Sequence, residues 1–272
     1  MGNPLAVILA DDSLDAGEMQ AMAAWLDLAE TTFVLPPTLD GADYRLRIFT
    51  SRQEIAFAGH PSIGSAHAML SEGWLSRPES GVLMQECRAG LLPLRLDAGA
   101  GAVSVRVPRS RIAAQAPEHA ALLRTALGDR RLAPLPPALV EGGRRWWLAE
   151  LADQEQVRDM QPDSSAILAL AQASDSLGLC VFARSNDGRG LVVRAFPLGV
   201  GLREDPASGA ANAAIAAFLD EAGALGKLGR SYRVSQGREM GRDAELQLDI
   251  DEQDQVWVGG LSHTVVSGTL CW

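Results

Sequence analysis

Cysteine is scarce in this chain. The three present, Cys87, Cys180 and Cys271, are odd in number and far apart. That excludes a disulfide-built scaffold and a thiolate zinc site, and it suits a reducing compartment, so a cytoplasmic protein is expected. Long apolar runs are missing too. No stretch reaches membrane-spanning length, and no basic segment followed by an apolar one opens the chain, so no membrane association and no signal peptide are expected. Positive charge is outweighed, with 24 Lys and Arg against 34 Asp and Glu, and a net charge of −10 argues against a nucleic-acid partner. The serine-hydrolase elbow G-x-S-x-G does not occur. Gly199-Val-Gly201 has no third glycine and runs into a Glu-Asp-Pro turn, which argues against a dinucleotide loop. His60 and His67 are not joined by a carboxylate at metal-ligand spacing, so His67 reads as a packed helix residue. Neither a metal nor an organic cofactor is expected.

What the chain does have is one organising stretch, Glu54-Ile-Ala-Phe-Ala-Gly-His-Pro-Ser-Ile-Gly-Ser-Ala-His-Ala-Met-Leu70. Residues 54–58 read as a short strand, and Gly59 as a tight turn that a Cβ would resist. Pro61, with φ preset and no N–H to leave unpaired, marks a helix start. The small and apolar residues from Ser62 to Leu70 predict a helix buried nearly all round. The first N–H groups of such a helix lack partners, and an anionic ligand is one good acceptor for them. The pattern P-x-x-G-x-A-x-A at 61–68 returns at 206–213, with His60 before the first proline and Asp205 before the second. This predicts two lobes, each wrapped around one small-residue helix, with both helix starts facing a shared cleft. Close packing of Ala- and Gly-rich helices is the plainer explanation of the same pattern.

In chain order, strands are expected at 5–9, 31–35, 44–50, 81–87, 91–96 and 103–107. Asp11, Asp12 and Ser13 offer N-caps for a helix with an apolar stripe at Met19, Met22, Ala23 and Leu26. Residues 108–117 read as the crossing into the second half. That half should hold helices over 118–127, 164–173 and from Gly209 to about Ala222. Its strands are expected at 145–151, 179–183, 191–196, 231–236, 246–250, 256–258 and 264–270. The pattern is α+β. Its N-terminal lobe would span 1–108, completed by a C-terminal strand within 262–272, and its C-terminal lobe 115–261.

Three polar residues stand out. Glu30 lies where the first helix gives way to a strand, a place from which a side chain can be aimed into a cleft or simply be solvated. His60 sits between a glycine and a helix-starting proline. Asp205 precedes a proline at a helix start, where the commonest use of an aspartate is to cap. Glu54 and Glu204 read equally well as solvated or structural.

Leu28-Ala-Glu-Thr-Thr-Phe-Val34, Arg47-Ile-Phe-Thr50 with Phe57-Ala-Gly-His-Pro61, and Glu204-Asp-Pro-Ala-Ser-Gly209 together resemble the phenazine-biosynthesis PhzF-like isomerase family. The resemblance runs from Gly2-Asn-Pro-Leu-Ala-Val7 to the C-terminal strands. It implies a diaminopimelate epimerase-like fold, with two similar lobes, each a barrel-like mixed β-sheet around a central helix, and a homodimer. It also implies that Glu30 is the proton-transferring glutamate, that His60 and Asp205 are polar cleft residues, and that Gly59 and Gly209 supply helix-start backbone. Two departures stand against it. The family usually carries a strand upstream of Gly2-Asn-Pro, and it usually has a serine where this chain has Ala210. Related epimerases place a cysteine at each helix start. Here Ala58 and Ser208 stand there, an alanine that carries no proton and a serine that is a poor base unaided. The expected function is therefore a cofactor-independent isomerase moving a proton within a small carboxylate-bearing metabolite by glutamate acid/base chemistry. Ser208, Gly209 and Ala210 would join Gly59 in binding the substrate. The alternative is a non-catalytic small-acid binding protein that kept the cleft.

Overall fold

The computed structural model describes residues 2–11, 13–97, 99, 101–114 and 117–272. Asp12 of the expected cap and residues 115 and 116 of the expected crossing lie outside them. The chain divides into two compact units, one of residues 4–105 with 259–272, the other of residues 1–3 with 106–258.

In the smaller unit, β1 (Leu5–Leu9) leads through α1 (Ala16–Leu26) into β2 (Glu30–Leu35), which pairs parallel to β1. The α1 start is a capping box. The Asp15 carboxylate accepts from the Glu18 N–H, and Glu18 accepts from the Asp15 N–H, both at 2.9 Å. Asp15 thus caps the helix in place of the expected Asp11 or Ser13. β3 (Tyr44–Phe49) returns antiparallel to β2, and the two-residue β4 (Glu54–Ile55) pairs with β3. Helix α2 (Gly59–Ser71) then carries the chain to β5 (Val82–Cys87), parallel to β3. β6 (Gly90–Leu96) and β7 (Val103–Val107) follow by antiparallel turns.

Helix α2 opens two residues before Pro61, on Ala58 as N-cap, so Gly59 is its first helical residue and not a turn. Its buried hydroxyls are satisfied. Ser62 donates to the Ala58 carbonyl at 2.9 Å and accepts from Gln85, and Ser65 meets Thr32 at 2.9 Å. Residues 264–270, expected as a strand, form none. Their strand formers find no neighbouring strand to pair with, and Val265 and Val266 are 90% and 85% exposed.

In the larger unit, β8 (Arg111–Ala114), α3 (Ala120–Leu127) and β9 (Ala138–Glu141) precede β10 (Arg145–Glu150). Two helices, α4 (Gln154–Arg158) and α5 (Ser164–Ser174), lead to β11 (Leu179–Arg184), parallel to β10. β12 (Gly190–Phe196) is antiparallel to β11. Helix α6 (Gly209–Glu221) leads to β13 (Ser231–Gln236), parallel to β12, and β14 (Ala244–Ile250) turns back antiparallel. β15 (Val256–Gly260) lies beside β14. The core gathers around Trp147, Ile167, Leu170 and Val181. Burial all round belongs to α6, where every residue from Ala211 to Leu219 is buried, more than to α2, where Gly64, His67 and Ala68 are half-buried.

The order β1-β2-β3-β5-β6 thus has the same pairing senses as β10-β11-β12-β13-β14. The shared chemistry is finer still. Arg47 on β3 gives Nε and Nη2 to the two carboxylate oxygens of Glu54, both at 2.8 Å, and stacks over Phe49 at 5.2 Å. Arg194 on β12 does the same with Glu204 at 2.8 and 2.9 Å and stacks over Phe196 at 5.1 Å. Each glutamate stands five residues before the glycine that opens its helix. The repeat therefore runs R-x-F, then E-x4-G, and the proline match expected from sequence is out of register. Pro61 is the third residue of α2, whereas Pro206 precedes the α6 cap. No helix among the described residues is long and apolar enough to cross a membrane.

Candidate active site

Glu30 is the first residue of β2, opposite Leu5 of β1, just after Asp27 has ended α1 in the left-handed conformation. Side chains alternate along a strand, so Glu30 shares the face of Thr32, which bonds Ser65 of α2. His60 is the second residue of α2. The two side chains meet, with His60 Nε2 3.3 Å from Glu30 Oε2 and only 21% and 18% of each exposed. Burial pulls the His60 pKa down to about 4, opposed by a hydrogen bond from the ring to the Pro4 carbonyl. With Nε2 turned to Glu30, that bond uses Nδ1–H. In the neutral ring, Nε2 is then an acceptor facing the carboxyl group.

A pH effect follows. Between about pH 6.5 and 4 the unfolded chain binds a proton at His60 that the folded chain does not, so stability falls as the pH drops through that window. At about 1.4 kcal/mol per tenfold in proton affinity, the ceiling is about 3 kcal/mol. Urea midpoints at pH 7 and pH 4.5 should drop more for the wild type than for His60→Gln. Equal drops would show that His60 is no more buried in effect than a surface histidine.

The other expected residues gather at the start of α6. Ser208 is buried and caps the helix, its Oγ accepting from the Ala211 N–H at 3.4 Å. Asp205 Oδ1 accepts from the Ala207 N–H and from Asn3 Nδ2, each at 3.1 Å. Burial raises the Asp205 pKa, opposed by Ala207 and Ser208 and reinforced by Glu204. Gly209 is buried as the first residue of the helix, and Ala210 is exposed. Asp205 does not cap α6, since Ser208 does.

Two supporting residues give no sequence signal. Gln236, at the end of β13, donates to the Asp205 carbonyl at 2.8 Å. Its Oε1 accepts from Ser208 N–H at 3.2 Å and from Asn212 at 2.7 Å. It thereby ties the Asp205 loop to the helix start. Gly237 follows with φ +78, and a Cβ there would stand 2.4 Å from the Pro206 carbonyl. Gly178 is the second case of this kind. Phe49 pairs with Thr31 and Phe196 with Leu179, so Gly178 occupies the place in the larger unit that Glu30 holds in the smaller. Its φ is +147, and a Cβ would lie 2.1 Å from the Phe196 carbonyl, so no carboxylate fits there. The repeat carries this carboxylate in one copy only.

The helix starts differ as well. Ser208 caps α6, but Ala58, with extended φ −150 and ψ 142, offers α2 no side-chain acceptor. Ala58→Ser should raise stability by about 1 kcal/mol in urea unfolding, as an added N-cap does. A lowered midpoint would mean that the serine rotamer does not fit there. Cys180 is buried beside Asp205, and burial pushes its thiol pKa well up, which leaves it unreactive. Among the described residues, no three His, Cys, Asp or Glu side chains converge as a metal site would need.

A repeated mixed sheet that brings a half-buried carboxylate to an imidazole is a scaffold for acid/base chemistry, and the curated relatives of this chain include named isomerases. The family model for phenazine biosynthesis-like proteins (PhzC-PhzF) matches residues 1–268, and the chain belongs to that family. The protein Antisense-enhancing sequence 1 of Schizosaccharomyces pombe is 33% identical over 277 residues, covering 98% of this chain and 93% of its own. The trans-2,3-dihydro-3-hydroxyanthranilate isomerase of Pseudomonas aeruginosa is 33% identical over 248 residues, covering 90% and 84%. The crystal structure of a PhzF-family phenazine biosynthesis protein from Bacillus anthracis has the same fold, with a TM-score of 0.79 at 23% identity over 96% of this chain and 90% of that one.

Proposed function

We propose that this enzyme is a cofactor-independent isomerase that shifts a proton within a small carboxylate-bearing metabolite, cyclic or unsaturated. Glu30 is its base and then its acid. The observation that carries the reading is the approach of Glu30 Oε2 to a neutral His60. The Glu30 carboxyl group lies beside the ring nitrogen left over from the Pro4 bond. Once Glu30 has taken the substrate proton, its O–H donates to Nε2. A hydrogen bond that holds the protonated form of Glu30 favours proton abstraction. His60, fixed through Pro4, keeps the proton in place until Glu30 returns it to another carbon of the same face.

Asp205 is proposed to orient a polar group of the substrate, with Ser208, Gly209 and Ala210. Gly59, at the uncapped start of α2, would meet negative charge. A cyclic unsaturated amino acid of the kind named for the Pseudomonas relative fits this chemistry. A homodimer working in the cytoplasm completes the proposal, the dimer on the family resemblance and the compartment on the scarcity of cysteine. Screening small unsaturated acids in heavy water, by mass spectrometry and NMR, tests it. One of them should take up solvent deuterium and change its double-bond position. One observation favours a second reading, a small-acid binding protein without turnover: Ala210 has no hydroxyl where the family usually carries one. Tight binding of an acid with no exchange at any carbon would select it.

A further inference from the structure

The two copies of the repeat differ in what meets their stacked arginine. Arg194 has one nitrogen that Glu204 does not take, Nη1. It donates to the carbonyls of Val157, Arg158 and Met160 at 3.4, 3.3 and 2.6 Å, at the end of α4. Helix α4 is an addition to the repeat. α1 and α5 correspond, each of eleven residues, capped by an aspartate (Asp15, Asp163) and closed by a left-handed one (Asp27, Asp175). No helix among the described residues of the smaller unit corresponds to α4.

Arg47, held by Glu54 through the same two nitrogens, lies instead at a hollow of about 320 Å³. Arg45, Arg88, Glu54 and Glu86 line it as well. Both carboxylates are already engaged. Glu54 holds Arg47 and lies 3.5 Å from Arg88. Glu86 accepts from the Thr38 N–H at 2.6 Å, the Thr38 hydroxyl at 2.5 Å and the Leu39 N–H at 3.0 Å. Three guanidinium groups and two carboxylates leave one positive charge in the hollow. It lies apart from the Glu30 site. Arg47 pairs with Phe33, which packs on α1, whereas Thr32 on the other face bonds α2.

We propose that this hollow is a binding site for a small oxyanion, a phosphate or a carboxylate, whose oxygens take the place that the α4 carbonyls hold against Arg194. A guanidinium already fixed by a bidentate carboxylate and an aromatic face loses little freedom on binding, and convergent oxygens are the ligand its remaining edge suits. The site is independent of the proposed isomerase reaction.

Inorganic phosphate titrated into the full chain tests this by calorimetry, together with NMR of the arginine Nε–H signals. Phosphate should bind, shift the Arg47 and Arg88 signals, and bind about tenfold more weakly to Arg88→Ala, whose exposed side chain can be removed without harm to the core. Arg45→Gln should weaken it further. Glu30→Gln should leave binding unchanged. Absence of binding, or binding that Arg88→Ala and Arg45→Gln leave unaltered, would overturn the proposal. Loss of phosphate binding in Glu30→Gln would place the anion at the α2 start instead.

Discussion

Glu30→Gln should lose turnover by about 10²–10⁴-fold, the usual contribution of a general acid–base group, and lose substrate deuterium uptake with it. The change keeps the side chain's size and a carbonyl acceptor but removes any means of carrying a proton. The fold should survive it. Glu30 enters the ladder through its backbone, opposite Leu5, and its carboxylate meets a histidine that is already neutral, so no buried charge is left without a partner. In the variant the amide can donate to His60 Nε2, holding the ring in its wild-type orientation while blocking proton transfer. Substrate affinity should therefore change little, and the loss should appear in kcat with KM nearly constant. His60→Ala should behave differently, weakening both, because it removes the acceptor and frees the Glu30 carboxyl to turn. A Gln variant that still exchanges the substrate proton at near wild-type rate would reduce Glu30 to a junction residue and end the proposed mechanism.

How far the sequence alone reaches can be judged at this same site. Most strands could be read from alternation, and Glu30 was visible as a carboxylate at a helix-to-strand junction. By residue type it was no different from any other such carboxylate, and only the resemblance of its neighbours assigned it a role. Its contact with His60 joins two residues thirty apart, and local pattern has no access to that. The repeat was legible but misread. The sequence pattern marks both helix starts by a proline, yet Pro61 lies inside α2 and Pro206 before the cap. What recurs is an arginine, an aromatic, a glutamate and a glycine. The loop between the aromatic and the glutamate runs over 50–53 in one copy and 197–203 in the other, so no fixed offset aligns them. Residues 264–270 failed for the opposite reason. Their strand propensity is real, but a strand forms only with a partner ladder, and none is there for it.

The repeat also sets up the largest expected change in stability. Arg194 and Glu204 have side-chain exposures of 7% and 12%, against 24% and 16% for Arg47 and Glu54. The bonds to the glutamates are nearly identical, so the two pairs differ mainly in how completely water is excluded. Removing one partner of a buried pair strands the other charge, at a cost of about 3–5 kcal/mol. In the more open Arg47–Glu54 pair, water recovers part of the solvation, and a smaller cost, about 1–2 kcal/mol, is expected. Glu204→Ala should therefore lower the melting temperature by about 10 °C, well beyond the effect of Glu54→Ala. The double variant Arg194→Met with Glu204→Leu should recover part of the loss, because no charge is then buried. Recovery should be incomplete, since the carbonyls of Val157, Arg158 and Met160 lose their shared donor. Thermal and urea unfolding of these three variants beside the wild type decide the matter. If Glu204→Ala costs no more than Glu54→Ala, water reaches Arg194, and α4 does not seal its copy of the repeat.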